Sequence, residues 1–267
     1  MSALEAIILG LVQGLTEFLP VSSSGHLTIA KALFGVETNN LSFEVAVHAA
    51  TVLSTLVAFR KEIFELLKGL FEFKMNSQTE YILKIAISMI PVFIVGVFFK
   101  DFVESLFGEG LIVVGVMLLV TASLLMTSEI LGKKRADKEG REIGYKEAFI
   151  MGIAQAIAVL PGISRSGATI STGLICGVKK SDVARFSFLM VLVPILGEAF
   201  LELVGGELQM AESGISALSL GLGFITAFLS GLFACNLMID LVKKAKLWGF
   251  AIYCGCAGVL SIIISLI

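Results

Sequence analysis

The sequence predicts an all-α polytopic membrane protein, built as an inverted-topology repeat in which each half is a re-entrant broken-helix hairpin plus three transmembrane helices. Three observations lead to this prediction: an apolar composition, an alternation of basic and non-basic loops, and an internal repeat. Of the 267 residues, 57% are apolar and 16% are charged, whereas soluble domains are about 45 to 50% apolar and about 25% charged. The mean hydropathy of +0.95 also indicates a membrane protein.

Six apolar segments are long enough to cross a bilayer as helices of about 20 residues. They are residues 43–59, 81–99, 111–131, 183–204, 218–240 and 247–267. Two further apolar segments, 3–34 and 147–178, are each interrupted near the middle by proline, glycine and serine. Irregular backbone in a membrane needs protein or a water-filled cavity to satisfy its polar groups, so we expect two re-entrant hairpins lining a common cavity. For each segment, the alternative is a pair of ordinary spans joined by a short loop.

The basic residues predict the orientation. Of the 20 basic residues, 16 lie in four stretches, which are 60–80, 132–146, 179–185 and 241–247. The alternate loops, 31–42, 100–110 and 205–217, contain only Lys31 and Lys100. The positive-inside rule places the four basic stretches in the cytoplasm. Both ends of segment 147–178 are then cytoplasmic, which a hairpin allows and a full crossing does not. By the same rule, segment 3–34 enters from the outside.

An internal repeat appears when the sequence is shifted by 142 residues. Eight of the 21 positions from 5 to 25 are then identical, including Gln13 with Gln155 and Ser22 with Ser164. The same shift superimposes the predicted spans, so the chain divides into a first half at 1–131 and a second half at 143–267, linked by a cytoplasmic loop at 132–142. Since each half has three crossings, an odd number, the halves are expected in opposite orientations with their broken segments near the midplane.

Other features narrow the classes of function. The formal net charge of −2 provides no basic field for nucleic acid, so no nucleic-acid partner is predicted. The four cysteines lie in apolar stretches without zinc-type or redox-type spacing. His48 lies outside both broken segments, and we interpret it as a packing or interface residue.

Ionisable residues inside a membrane are costly and usually functional, which draws attention to Glu17, His26 and Arg165 in the broken segments. Gln13 and Glu17 are four residues apart on the first half-helix and share a face. The run Ser22-Ser23-Ser24-Gly25 leads into a second half-helix, whose free N–H groups and positive dipole end favour an anion. Ser164-Arg165-Ser166-Gly167 repeats this pattern and adds a guanidinium, so the two breaks predict a phosphate pocket.

The same breaks carry groups that a passive binding site does not need. Glu17 is a carboxylate, His26 is a candidate base, and Ser22 and Ser23 are candidate nucleophiles. The reaction that uses them all is phosphoryl transfer to water, on a membrane-embedded phosphate ester or anhydride. Two alternatives remain open: a transporter or flippase of a phosphorylated lipid or small anion, and a structural role in which the hydroxyls only cap half-helices.

Two strings of residues resemble known signature motifs. Residues 13–26, QGLTEFLPVSSSGH, and 160–169, LPGISRSGAT, resemble those of the undecaprenyl-diphosphate phosphatase family, the bacitracin-resistance family of the bacterial inner membrane, and the resemblance covers the whole chain. It implies hydrolysis of undecaprenyl diphosphate to undecaprenyl phosphate and inorganic phosphate, which recycles the lipid carrier of cell-wall synthesis. It also implies a Mg²⁺ or Ca²⁺ cofactor, an active site open to the extracytoplasmic side, and bacitracin resistance.

The resemblance also implies roles for particular residues. Glu17 corresponds to the acidic metal ligand or base, and Gln13 is the glutamine variant of a second acidic position, which puts a two-carboxylate metal site in doubt. Ser23 corresponds to the candidate nucleophile, His26 to a base or alternative nucleophile, and Arg165 to the residue that holds the diphosphate. The residues expected to bind substrate are Gln13, Ser22, Ser24, Gly25, Ser164, Ser166, Gly167 and Thr169. Membrane lipid is the expected surrounding, and a homodimer is left open.

Overall fold

The computed structural model describes residues 1–35, 42–107, 110–135, 140–205, 215–244 and 247–266. Within these ranges the chain forms twelve helices and one isolated β-bridge, between Arg141 and Val178. The helices are α1 (Ala3–Phe18), α2 (Ser23–Phe34), α3 (Ser42–Ala58), α4 (Arg60–Leu70), α5 (Ser77–Phe98), α6 (Lys100–Phe107), α7 (Gly110–Arg135), α8 (Tyr145–Ile157), α9 (Arg165–Ile175), α10 (Lys180–Gly205), α11 (Ala217–Lys244) and α12 (Trp248–Leu266).

Four stretches of helix in the described ranges are long and apolar enough to cross a membrane. They are Ser77–Phe98, Gly110–Leu131, Ala217–Val242 and Trp248–Leu266. Large apolar side chains cover their outward faces, as Phe93 on α5 and Phe233 on α11 show at 68% and 62% exposed. Such faces are stable against lipid and not against water. The protein is therefore a polytopic helical membrane protein.

The predicted span at 43–59 corresponds to helix α3, and a second helix, α4, begins the stretch that follows it. Helix α3 ends at Ala58, and α4 follows at an angle of 73°, so that only the bent pair together forms a fifth candidate span. The bend falls just before Arg60 and Lys61, the first two residues of a helix in which charged and apolar residues are mixed. Two adjacent cations are costly in the hydrocarbon layer, whereas an amphipathic helix places them at its polar face.

The segment predicted as the span 183–204 forms the long helix α10, but α10 is not among the four candidate spans. Its first turns lie in the interior of the protein, where Phe186 and Met190 have no exposed surface. They belong to one apolar cluster with residues of several other helices, including Phe18 and Met238. The apolar side chains in the first turns of α10 therefore pack in the protein core and do not by themselves indicate contact with lipid.

Each of the two apolar segments at 3–34 and 147–178 is broken into two helices, in agreement with the prediction of interruptions. Helix α1 ends at Phe18, two residues before Pro20, and α8 ends at Ile157, four residues before Pro161. Proline lacks the N–H that a continuous helix requires. A serine then caps the next helix in both places: Ser22 Oγ accepts from Gly25 N at 3.3 Å, and Ser164 Oγ accepts from Gly167 N at 3.0 Å.

The helices of the two halves pack against each other. Helix α1 lies on α11, α8 lies on α5, and α7 lies on α12. Glycine allows the last pair a close approach: a Cβ on Gly115 would lie 2.7 Å from the Gly258 carbonyl oxygen, and a Cβ on Gly258 would lie 2.7 Å from the Gly115 carbonyl oxygen. Small residues of this kind are how membrane helices reach close packing.

We expect Gly258→Ala to destabilise the protein, because the added methyl group would overlap the backbone of α7 at a cost of about 1–3 kcal/mol. The measurement is the thermal unfolding temperature of purified protein in detergent. Gly255→Ala is the matched control, since a Cβ at this position on the same helix meets nothing within 4 Å. Equal unfolding temperatures for the two variants would contradict the close approach of α7 and α12.

Candidate active site

The site is centred on the carboxylate of Glu17, at the C-terminal end of α1. Its side chain is only 6% exposed. Oε2 accepts hydrogen bonds from Gln13 Nε2 at 2.9 Å and from Ser23 Oγ at 2.5 Å. Oε1 accepts from Arg165 Nη2 at 3.1 Å. The predicted residues Gln13, Glu17, Ser23 and Arg165 are thus brought together, and the charge of the carboxylate is compensated by one cation and two neutral donors.

Ser22 connects the first break to α2 in an unusual backbone conformation. Its φ is 72°, a region that residues with a side chain rarely adopt. Such a conformation costs about 1–3 kcal/mol and persists only where the surrounding structure imposes it. Here it places the Ser22 hydroxyl over the N-terminus of α2 while Ser23, the first residue of α2, turns toward Glu17. The strain therefore lies beside the group that the sequence predicts as nucleophile.

The second break is held from α7. Thr121 Oγ1 accepts from Ser164 N at 3.1 Å and donates to the Gly162 carbonyl oxygen at 3.3 Å. Gly162 has a φ of 94°, and a Cβ there would lie 2.7 Å from the Val114 carbonyl oxygen, so only glycine fits. This loop directs Arg165, the first residue of α9, toward Glu17. Thr121 lies in a predicted span outside both breaks, and no spacing in the sequence indicates its role.

The two breaks also contact each other in a reciprocal way. Ser166 Oγ donates to the Leu19 carbonyl oxygen at 3.2 Å, and Ser24 Oγ accepts from Gly162 N at 3.5 Å. A Cβ added to Gly25 would lie 3.3 Å from the Gly162 Cα, and a Cβ added to Gly167 would lie 3.3 Å from the Pro20 Cβ. The predicted residues Ser24, Gly25, Ser166 and Gly167 thus form the contact between the breaks. Ser164 serves as a helix cap and bonds to Ser166 Oγ at 3.2 Å.

Thr169 lies away from this contact. It is fully buried, donates to the Arg165 carbonyl oxygen at 2.8 Å and shares a hydrogen bond of 2.5 Å with Ser187 Oγ on α10. These bonds anchor the first turn of α9 on the protein core. In this structure Thr169 supports the helix that carries Arg165, and its role in binding substrate stays a prediction.

His26 and Tyr253 form a pair at the edge of the site. His26 Nδ1 bonds to the Ser22 carbonyl oxygen at 2.8 Å, and Nε2 bonds to Tyr253 Oη at 2.8 Å. The two rings stack with centroids 5.4 Å apart. His26 was predicted, whereas Tyr253 was not, because it lies in the last span with no polar motif around it. Its partner is 227 residues away in the sequence.

His48 lies nearer to the site than its sequence context indicates. It is on α3, half-buried, and close enough to interact electrostatically with the Glu17 carboxylate. Its Nδ1 bonds to the Glu44 carbonyl oxygen at 2.8 Å, and Glu44 forms an ion pair with Lys31 at the end of α2. The bonded Nδ1 fits the interpretation of His48 as a packing residue. Its electrostatic interaction with Glu17 was not predicted, because His48 is distant in the sequence from both motifs.

The arrangement combines a hydroxyl bonded to a buried carboxylate, a guanidinium, and the N-termini of two helices. Backbone N–H groups at a helix N-terminus and an arginine are typical ligands of phosphate groups. A carboxylate that accepts a hydrogen bond from a serine hydroxyl can accept its proton during nucleophilic attack. The fold and the site together define the class of the protein: a polytopic helical membrane protein with a buried site suited to phosphoryl chemistry.

Comparison with known proteins agrees with this class. Residues 6–260 match the family described as Bacitracin resistance protein BacA, and the chain belongs to this family. It is similar to the undecaprenyl-diphosphatase of Bacteroides thetaiotaomicron, with 57% identity over 100% of both chains. It is also similar to that of Bacteroides fragilis, with 58% identity over 98% of this chain and 97% of the relative. The undecaprenyl-diphosphatase of Methanococcus vannielii is 43% identical over 94% of this chain and 96% of the relative.

The strain at Ser22 predicts an unusual order of stabilities. Ser22→Gly should unfold at a temperature no lower than the wild type, because glycine accepts a positive φ and costs only a few tenths of a kcal/mol as a cap. Ser22→Ala should unfold at a lower temperature, because it keeps the strain and loses a cap that contributes about 1 kcal/mol. The measurement is thermal unfolding in detergent.

Ser164 is the matched control for Ser22, since it caps α9 in the same way with an ordinary φ of −72°. The difference in unfolding temperature between the glycine and alanine variants should be larger at position 22 than at position 164. Equal differences at the two positions would show that the positive φ of Ser22 stores no free energy.

Proposed function

We propose that the protein hydrolyses undecaprenyl diphosphate to undecaprenyl phosphate and inorganic phosphate, and so recycles the lipid carrier of cell-wall synthesis. The family and the relatives named undecaprenyl-diphosphatase support this activity. One observation at the site carries the proposal: Ser23 Oγ donates to one oxygen of Glu17 while Arg165 binds the other. The Glu17 carboxylate thus bonds both to the hydroxyl that would attack phosphorus and to the guanidinium that would bind the phosphate anion.

Substrate binding follows from the charges and dipoles of the site. The diphosphate lies at the N-termini of α2 and α9, where the N–H groups of the first turn lack partners within the helix. Arg165 is 22% exposed and provides a bidentate donor for phosphate oxygens. The apolar tail of the substrate lies in lipid, along the outward faces of the spans. A substrate that combines a phosphate anion with a long hydrocarbon chain fits both environments.

Hydrolysis begins at the Ser23 hydroxyl. Glu17 accepts the proton, the Ser23 oxygen bonds to the terminal phosphorus, and the bond from that phosphorus to the bridging oxygen breaks, releasing undecaprenyl phosphate. Arg165 stabilises the charge that develops on the bridging oxygen. Glu17 passes the serine proton to the departing undecaprenyl phosphate and is again a carboxylate. Water then attacks the serine phosphate, Glu17 accepts the proton of the water, the bond from phosphorus to the Ser23 oxygen breaks, and Glu17 returns the proton to that oxygen as inorganic phosphate leaves. Direct attack by a water molecule bound at Ser23 uses the same groups and forms no covalent intermediate.

A divalent cation, Mg²⁺ or Ca²⁺, fits the residues beside Glu17. Gln13 Oε1 is buried and has no hydrogen-bond partner among the described residues. This amide oxygen and the Glu17 carboxylate are oxygen ligands of the kind that both cations prefer. The described residues contain no cluster of three His, Cys, Asp or Glu side chains that could hold a metal, so phosphate oxygens and water would complete the coordination. When bound, the cation would neutralise charge on the diphosphate.

The two halves are proposed to be inverted repeats with re-entrant hairpins. Reciprocal contacts between the breaks support this proposal. The bond of Ser24 to Gly162 has its counterpart in the bond of Ser166 to Leu19. The approach of Gly25 to Gly162 has its counterpart in that of Gly167 to Pro20, so the breaks pair almost position for position under the shift of 142 residues. Reciprocal pairing is the property of a two-fold axis. With the axis in the membrane plane, the first hairpin opens to the extracytoplasmic side of the inner membrane.

The proposed activity predicts phosphate release from a long-chain polyprenyl diphosphate by detergent-purified protein, stimulated by Mg²⁺ or Ca²⁺ over a chelator control. Glu17→Ala, Ser23→Ala and Arg165→Lys should each lower kcat at least about 100-fold, because each removes a transition-state interaction and lysine cannot form the bidentate fork. Ser123→Ala and Arg60→Lys are the matched controls, since both residues lie outside the site. A folded wild-type protein that releases no phosphate would favour transport of a phosphorylated lipid instead.

Inverted topology predicts opposite accessibility for two equivalent positions, Lys74 and Ser216, which the shift of 142 residues superimposes. Both are exposed in the structure. Cysteines placed there, with Cys176 and Cys256 replaced by serine, should react with an impermeant maleimide from opposite sides of the membrane: position 74 only after lysis, and position 216 in intact cells. Labelling of both positions from the same side would contradict the inverted repeat.

A further inference from the structure

His26 is held at both ring nitrogens, which defines its tautomer. The partner of Nδ1 is the Ser22 carbonyl oxygen, which only accepts, so Nδ1 carries the proton. In the neutral ring, the Nε2 lone pair then accepts the hydroxyl proton of Tyr253. The stacked phenol ring also covers one face of the imidazole. The nitrogen that would have to attack phosphorus is therefore already occupied.

His48 provides a natural comparison. The chain contains only these two histidines, and both donate from Nδ1 to the carbonyl oxygen four residues earlier at 2.8 Å. They differ at Nε2: that of His26 bonds to Tyr253, whereas that of His48 has no hydrogen-bond partner among the described residues. The occupied Nε2 is thus specific to His26 and does not follow from the local helical geometry.

The pair is also not required by the repeated architecture. Under the shift of 142 residues, the equivalents of His26 and Tyr253 are Ala168 and Leu111. Ala168 is buried in an apolar cluster. The second half therefore builds the same kind of helix N-terminus without a hydrogen-bonded ring pair, which indicates that the pair serves the chemistry of the first half.

His26 transmits this constraint to the reacting serine. Its Nδ1 and its own backbone N–H both donate to the Ser22 carbonyl oxygen, at 2.8 Å and 3.1 Å. That carbonyl belongs to the same planar peptide unit as the Ser23 N–H. Fixing the carbonyl therefore fixes the direction of the Ser23 N–H and the position of the Ser23 Cα. The strained φ of Ser22 makes such an external restraint necessary.

We propose that Tyr253 is a positioning residue that acts through His26: it occupies Nε2, locks the imidazole, and so holds the Ser22–Ser23 peptide in the orientation that presents Ser23 to the phosphate. In this arrangement His26 forms no bond to phosphorus. The effect on turnover rests on the proposed phosphatase activity, whereas the occupation of Nε2 does not depend on it.

The first measurement is the reactivity of the two histidines toward diethyl pyrocarbonate, resolved by mass spectrometry in folded protein in detergent. Tyr253→Phe should raise the labelling rate of His26 several-fold relative to His48, which serves as the internal reference. Tyr145→Phe is the matched control, because Tyr145 is 43% exposed, near the 49% of Tyr253, and its ring contact with Lys84 is retained by phenylalanine. This control should leave the ratio unchanged. An unchanged ratio in Tyr253→Phe would overturn the proposal.

The second measurement is steady-state phosphate release. Tyr253→Phe should lower kcat about tenfold and change KM less than twofold, because it misaligns Ser23 without removing a phosphate ligand. A raised labelling ratio with unchanged kcat would overturn the coupling to Ser23, and a phosphohistidine at position 26 during turnover would overturn the proposal as a whole. If the wild type releases no phosphate, the proposed function fails, while the labelling ratio still decides whether Tyr253 occupies Nε2.

Discussion

A carboxylate enclosed in a membrane protein must be compensated, and the compensation of Glu17 organises the centre of this structure. An uncompensated buried charge costs several kcal/mol. Glu17 obtains its partners from three segments: Gln13 on its own helix, Ser23 across the first break, and Arg165 from the second break. The bond to Ser23 joins the two helices of the first broken segment, and the bond to Arg165 joins the first broken segment to the second. The arginine that would bind phosphate is therefore also a link between the two broken segments.

The breaks themselves follow from backbone hydrogen bonding. Inside a membrane, each interrupted helix exposes N–H and C=O groups that need partners. The serine caps satisfy part of this need, and Thr121, Ser24 and Ser166 satisfy more of it by bonding across the contact between the breaks. The first turns of α2 and α9 keep N–H groups that a phosphate can use. Two helix ends meeting in the protein interior thus create the proposed binding site as a consequence of how the fold is interrupted.

Much of this arrangement was predictable because its signals are local. Proline at 20 and 161 ends a helix, a serine at 22 and 164 caps the next one, and Gln13 and Glu17 share a face by helical spacing. The bend between α3 and α4 and the burial of α10 were not predictable from hydropathy, since an apolar residue facing lipid and one packed in the core have the same hydropathy. The hydrogen bond from Ser164 to Thr121 and the electrostatic interaction of His48 with Glu17 were not predicted for a related reason, because these partners are distant in the sequence.

The sequence by itself determined the class of fold, the two interruptions, the residue types of the site and the family motifs, all of which depend on composition, helical spacing and backbone chemistry over a few residues. Only the tertiary structure decided which oxygen of Glu17 meets Arg165, 148 residues away, and that Tyr253 occupies Nε2 of His26, 227 residues away. The physical reason is that hydrogen bonds act over about 3 Å. Which distant side chains come within that range is set by the packing of the helices against one another.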